Sequence, residues 1–265
     1  MISSGSSFAK PLSLVPFFYF LVTRISGLRD LAYLAASSLL PGLWLVWRLG
    51  EYGPIEAIVR FALGYLAFIA IYELGYFLND AWDARRRPSG RQRIPFVWGV
   101  VYAATFVALR LVAWPAIGWA TGWLWSPLWL AAFGALILAF GQHNVISAAA
   151  LRSATFVQLS TLRFVIPVLP SIAPESVAAV IAAALLFYTY FRFLSYLESK
   201  DLLQMPDRRA GSFQLLQTLM LTPLILFLAY TSGLAVIFEL WVYFVVIFGL
   251  WAALSSRGRG GDPTP

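Results

Sequence analysis

The chain has 265 residues, of which 60% are hydrophobic and 12% charged, with no cysteine and a formal net charge of +7. A water-soluble domain carries about twice that charged fraction, and the lack of cysteine excludes a disulfide framework or a thiolate metal site. The basic residues lie mostly between apolar runs, which points to orientation in a membrane and not to a nucleic-acid surface.

The chain opens on a lead-in over residues 1–28. Its apolar stretch, Leu12 to Thr23, is too short to cross a bilayer and is followed by Arg24, so it is predicted to lie along the interface. Met1 to Ser7 is mostly small and polar, with no secretory cleavage pattern. Eight apolar runs follow at roughly 30–48, 54–78, 94–113, 124–141, 154–172, 175–197, 214–232 and 234–254, each near the ~20 residues that span a bilayer as helix. Pro54 and Pro174 stand near predicted helix starts, where a missing amide hydrogen costs little. Backbone groups in lipid must be bonded within each segment, so the runs are helices. They are too long and too uniformly apolar for barrel strands. The tail, 255–265, is rich in glycine and proline and is predicted to be disordered. The fold predicted for 29–254 is an all-α polytopic membrane bundle.

Eight crossings place both termini and the loops after the second, fourth and sixth runs on one side. That side receives Lys10, Arg24, Arg29, Arg85, Arg86, Arg87, Arg91, Arg93, Arg152, Lys200, Arg208, Arg209, Arg257 and Arg259, most of the 19 basic residues. The opposite side has Arg48, Arg60 and Arg110, all expected near helix ends. The positive-inside rule makes the basic side cytoplasmic, with a plasma (inner) membrane as the expected location. Trp114, Trp119, Trp123, Trp125 and Trp129 surround the third connection, as an outer aromatic belt would.

Two acidic segments fall on the cytoplasmic side and can face one cavity. The first closes the second run: Glu73, then Asn79-Asp80-Ala81-Trp82-Asp83. On a continuing helix Asp80 and Asp83 share a face, with Glu73 two turns below. Acids at a helix C-terminus oppose the macrodipole, and a hard divalent cation such as Mg²⁺ would offset that cost. The alternative is a helix end whose acids pair with Arg85, Arg86 and Arg87. The second segment follows the sixth run, with Glu198, Lys200-Asp201 and Asp207-Arg208; its alternative is a solvated loop.

Tyr76-Phe77-Leu78-Asn79-Asp80-Ala81-Trp82-Asp83, followed by Arg87-Pro88 and Arg93-Ile94-Pro95, resembles the first signature of the UbiA superfamily of intramembrane prenyltransferases. Arg87 stands where that signature has its third aspartate. Lys200-Asp201 and Asp207-Arg208-Arg209-Ala210-Gly211 are similar to the two ends of the second signature; its middle aspartate is absent near Leu203 and Gln204. His143-Asn144 through Ser147 to Arg152 is similar to the connector between the family's fourth and fifth spans.

The resemblance implies eight to nine transmembrane helices around a central cavity open to the cytoplasm. It also implies transfer of a prenyl group from a polyprenyl diphosphate to an aromatic or lipid-like acceptor, with Mg²⁺ as cofactor. Asn79, Asp80, Asp83, Asp201 and Asp207 would hold metal. Asn79, Arg87, Arg152, Lys200 and Arg208 would hold diphosphate. Asp80 and Asp83 would act at the reacting centre, and Glu73 would deprotonate the acceptor. A terpene cyclase of the same type, or a lipid-binding protein or transporter without catalysis, are the alternatives.

Two arginines stand apart. Arg163 falls within a predicted span and Arg192 near the end of one, so both are expected to face the interior. Arg192 is expected to pair with an acid of the second segment and Arg163 to line the cavity with Gln158; a structural pair within the helix is the alternative for each. His143, the lone histidine, is expected to be structural. Tyr188, Tyr190, Phe191 and Tyr196 could wall a carbocation.

Overall fold

The computed structural model describes residues 9–86, 99–205, 211–232 and 235–257, with the backbone alone for 9–10, 82–86, 232 and 255–257. Every regular element among them is helical. Seven helices are long and apolar enough to cross a membrane: Leu28–Leu49, Pro54–Ala81, Gly99–Thr121, Pro127–Val145, Ala149–Ser171, Pro174–Ser199 and Ala235–Leu254. The bent pair Gly211–Met220 and Thr222–Thr231, counted as one span, brings the number to eight. This is a multi-pass membrane protein, and the helices follow the predicted runs in order.

In chain order the helices are α1 (Ala9–Leu12), α2 (Phe18–Arg24), α3 (Leu28–Leu34), α4 (Leu40–Leu49), α5 (Pro54–Arg86), α6 (Gly99–Thr121), α7 (Pro127–Val145), α8 (Ala149–Val165), α9 (Val177–Ala183), α10 (Tyr190–Ser199), α11 (Gly211–Met220), α12 (Thr222–Ser232) and α13 (Ala235–Arg257). The third and fourth spans lie further along the chain than expected. α6 continues through Pro115 and stops only at Gly122, whose φ of 76° is open to glycine. The next helix starts at Pro127, where Ser126 Oγ accepts the Trp129 amide at 3.4 Å. Arg110, expected near a helix end, therefore sits mid-helix. The predicted disordered tail begins inside α13; residues 258–265 lie outside the described residues.

Prolines explain two of the irregular turns. A π-helical turn, Ala35–Leu39, precedes Pro41, which has no amide hydrogen to bond the fourth carbonyl behind it. The loosened turn exposes the Ala36 carbonyl, which accepts the Tyr243 hydroxyl at 2.8 Å. Pro223 likewise leaves the Leu219 carbonyl without its usual partner, and Thr222 Oγ1 donates to it at 2.6 Å. There α11 and α12 meet at a 44° bend. A second π turn, Ala184–Thr189, joins α9 to α10.

α5 packs against α4, α6 and α7, while α13 packs against α4, α9, α11 and α12. Gly64 lies directly on the Pro167 carbonyl, where a Cβ would have no room. Arg48 donates to Glu239 at 2.9 Å and Trp44 Nε1 does so at 3.0 Å, tying the first span to the last. The tryptophans divide. Trp119 and Trp125 are exposed and make an edge contact, whereas Trp123 and Trp129 are buried in the core beside half-buried Trp114.

Candidate functional site: an arginine-lined cavity

Residues 13–20 of the lead-in turn inward instead of lying along the surface. Ser13, Tyr19 and Phe20 are buried against α5 and α6. α1 and α2 are separated by a break at Phe17, with φ 82°. Such a break frees backbone groups that cannot be left unbonded away from water. Arg110 and Glu73 meet that need. The Arg110 guanidinium donates to the carbonyls of Ser13 at 3.0 Å and Leu14 at 2.9 Å. Glu73 Oε1 accepts the Phe20 amide in the first turn of α2 at 2.7 Å. The two side chains pair at 2.6 Å, each with no exposed surface.

Held this way, α2 delivers Tyr19 and Arg24 to the far end of α5. Arg24 Nη2 donates to both Asp80 oxygens, at 2.8 and 2.9 Å, and the Tyr19 hydroxyl donates to Oδ2 at 2.9 Å. Burial, then the Asp80 carboxylate beside it, push the Tyr19 phenol above its usual value, so it remains a donor. The Arg24 guanidinium lies 4.4 Å over the Tyr76 ring.

Two cavities, of about 240 and 210 Å³, meet at Arg24, Tyr76 and Arg192, which line both. The first is walled by α2, α3, α5, α8 and α10 and also carries Arg163 and Asp30. The second adds Asn79, His143, Ser160 and aromatic faces. Arg163 lies 4.8 Å over Phe20 and donates to the Tyr76 hydroxyl at 3.2 Å. Arg192 lies 5.3 Å from the Tyr188 ring. Neither arginine forms an ion pair with a described carboxylate. Buried donors face no partner: Arg24 Nη1, Arg163 Nε, Arg192 Nε and the hydroxyls of Tyr188, Tyr196 and Ser160. Asp30 accepts from the Ser26 amide at 2.9 Å.

The predicted site residues scatter relative to this cavity. Asn79 lines it, and Asp80 anchors Arg24 at its wall. Glu73 lines neither cavity and is committed to Arg110 and Phe20. Arg152, in α8, donates to the carbonyl of Ile146, the residue that ends α7, at 2.9 Å. Lys200 caps α10 and lies 5.7 Å from the Tyr196 ring, and Asp201 beside it is exposed. Arg87, Asp207 and Arg208 lie outside the described residues, as does the side chain of Asp83. His143 pairs through Nδ1 with Thr155 Oγ1 at 2.8 Å. Thr155 spends its one hydroxyl proton on the Arg152 carbonyl at 2.9 Å, so Nδ1 carries the hydrogen.

Magnesium would need several oxygen ligands free to converge. Among the described residues no three acids or histidines cluster in that way. Asp80 already holds a guanidinium, and Glu73 another. The described donor set therefore does not fit a magnesium site. The sequence signal for the alternative lay in Arg24, Arg163 and Arg192, three cations in or beside apolar helices. Comparison with known proteins finds no matching family model, no matching curated protein and no matching solved structure.

Proposed function

We propose that this protein is an intramembrane enzyme that takes a polyprenyl diphosphate and transfers its prenyl group to an aromatic or lipid-like acceptor. One observation carries the reading: Arg24, Arg163 and Arg192, each with a buried donor that has no partner, line a cavity with Phe20, Tyr76 and Tyr188. A guanidinium suits phosphate oxygens, and apolar helices around it suit an isoprenoid tail. The Asn79-Asp80 signature at the same cavity supports the family resemblance.

In such a reaction the allylic carbon–oxygen bond breaks and both electrons leave with the diphosphate. Arginines stabilise that charge most as the bond breaks. Aromatic faces stabilise the allylic cation, and exclusion of water limits hydrolysis. The acceptor supplies the electron pair for the new carbon bond and gives up a proton. In this reading both termini and the cavity mouth face the cytoplasm, which the distribution of basic residues supports.

The test is diphosphate release from a series of polyprenyl diphosphates by purified protein in lipid nanodiscs, with Asp80→Ala as the inactive control. No release across the series, or undiminished release from Asp80→Ala, removes the enzyme reading. A cyclised hydrocarbon in place of an acceptor conjugate would identify a terpene cyclase. A second reading, binding of a lipid phosphate without chemistry, draws on Asp80 being neutralised by Arg24.

A further inference from the structure

We propose that the cavity binds the phosphate headgroup of its lipid with fixed guanidinium charge, without a bridging divalent cation. This rests on the preceding reading for the identity of the lipid, but not for the mode of binding.

Three observations converge. First, Asp80 presents its carboxylate to Arg24 through two hydrogen bonds and to Tyr19 through a third, so its acceptor capacity faces a protein cation. A residue expected to recruit metal instead holds an arginine in place. Second, Arg24 is held at the wall: Asp80 takes Nη2, Nη1 is buried without a partner, and the residue lines the cavity shared with Arg192. Third, Arg163 and Arg192 bring two further cations and form no ion pair with a described carboxylate; each keeps a buried Nε unbonded. A buried donor without an acceptor is costly, and an isolated buried cation is more so. An anion with several acceptor oxygens removes both costs together. Asp80 balances one of the three charges, and Asp30, also on the lining and engaged by Ser26, offsets a second. The remaining excess is positive. The aromatic faces under Arg24, Arg163 and Arg192 hold the guanidinium planes in place before the ligand arrives.

The experiment uses the full chain in zwitterionic nanodiscs and a non-cleavable thio analogue of farnesyl diphosphate. Affinity is measured in excess EDTA and again in excess Mg²⁺. The expected dissociation constants agree within about threefold, a difference well under 1.4 kcal/mol. Arg192→Gln, at a half-buried position and so tolerable to the fold, should weaken binding at least about tenfold in both buffers, the loss expected of a charge-assisted hydrogen bond. Farnesol should bind far more weakly than the analogue. Binding that vanishes in EDTA and returns with Mg²⁺ overturns the proposal, as does full affinity in Arg192→Gln or no binding in either buffer. Turnover separates the two readings. Tight binding in EDTA with no diphosphate release from farnesyl diphosphate keeps this site and removes the enzyme. Release that depends on Mg²⁺ for binding keeps the enzyme and removes this site.

Discussion

Glu73 Oε2 and Arg110 Nη2 lie 2.6 Å apart, neither with any exposed surface, and each also bonds the backbone of the N-terminal segment. One residue supplies acceptors to the start of α2, the other supplies donors to the carbonyls that precede it. The pair is a double cap for a chain break inside the bundle. Its position also decides whether Glu73 can serve as a base.

If Glu73 is a cap, Glu73→Gln should keep an acceptor for the Phe20 amide and lose the ion pair. Leaving Arg110 buried without its counter-charge should cost about 3–5 kcal/mol of stability, read as a lower thermal midpoint in detergent. Diphosphate release per folded molecule should fall less than about tenfold. A base would lose about 100-fold or more.

Asp80 has two possible duties that respond differently to substitution. As the anchor of Arg24 and Tyr19, it can be replaced by asparagine, which retains an acceptor oxygen, with a loss of about tenfold in turnover. Alanine should cost at least about 100-fold, because it releases Arg24. A metal ligand would lose comparably in both variants. Steady-state diphosphate release distinguishes the two.

Gly64→Ala tests the packing of α5 on the turn after α8. The added methyl would meet the Pro167 carbonyl, a backbone atom with little freedom to move. The expected loss is about 1–3 kcal/mol, measured as a lower thermal midpoint. Gly53→Ala, with nothing near its Cβ, is the matched control.

The chain has no cysteine, so orientation can be read from single introduced ones. Lys200→Cys, at the end of α10, should react with an impermeant maleimide only from the cytoplasmic side in right-side-out vesicles after opening. Gly53→Cys, between α4 and α5, should react without opening. The reverse pattern would invert the topology expected from the basic loops.

The spans were legible because apolar runs near bilayer length leave little choice of structure. Arg163 and Arg192 were legible as interior groups, since lipid offers a guanidinium nothing. Arg192 nevertheless faces aromatic rings, not the acid expected for it. Arg110 was assigned to a helix end because α6 was expected to stop before Trp114. Its partner is 37 residues away on the neighbouring helix. An acid within α5 and a base within α6 were the available signal, as opposite charges at membrane depth require each other. The inward course of residues 13–24 was hidden for a different reason. Leu12 to Thr23 is too short to declare a span, and what holds it inside comes from two distant side chains. Asp80 was singled out by its motif, but its bond to Arg24 depends on that same docking.

Docking of residues 13–24 requires groups from α5 and α6, which leave the ribosome later. The early segment must therefore wait until both helices stand in the bilayer, and Arg24 can reach Asp80 only afterwards. Arg163 and Arg192 lie further on, in α8 and α10, so a chain stalled before α6 lacks both the groups that dock its start and two of the three arginines on the cavity wall.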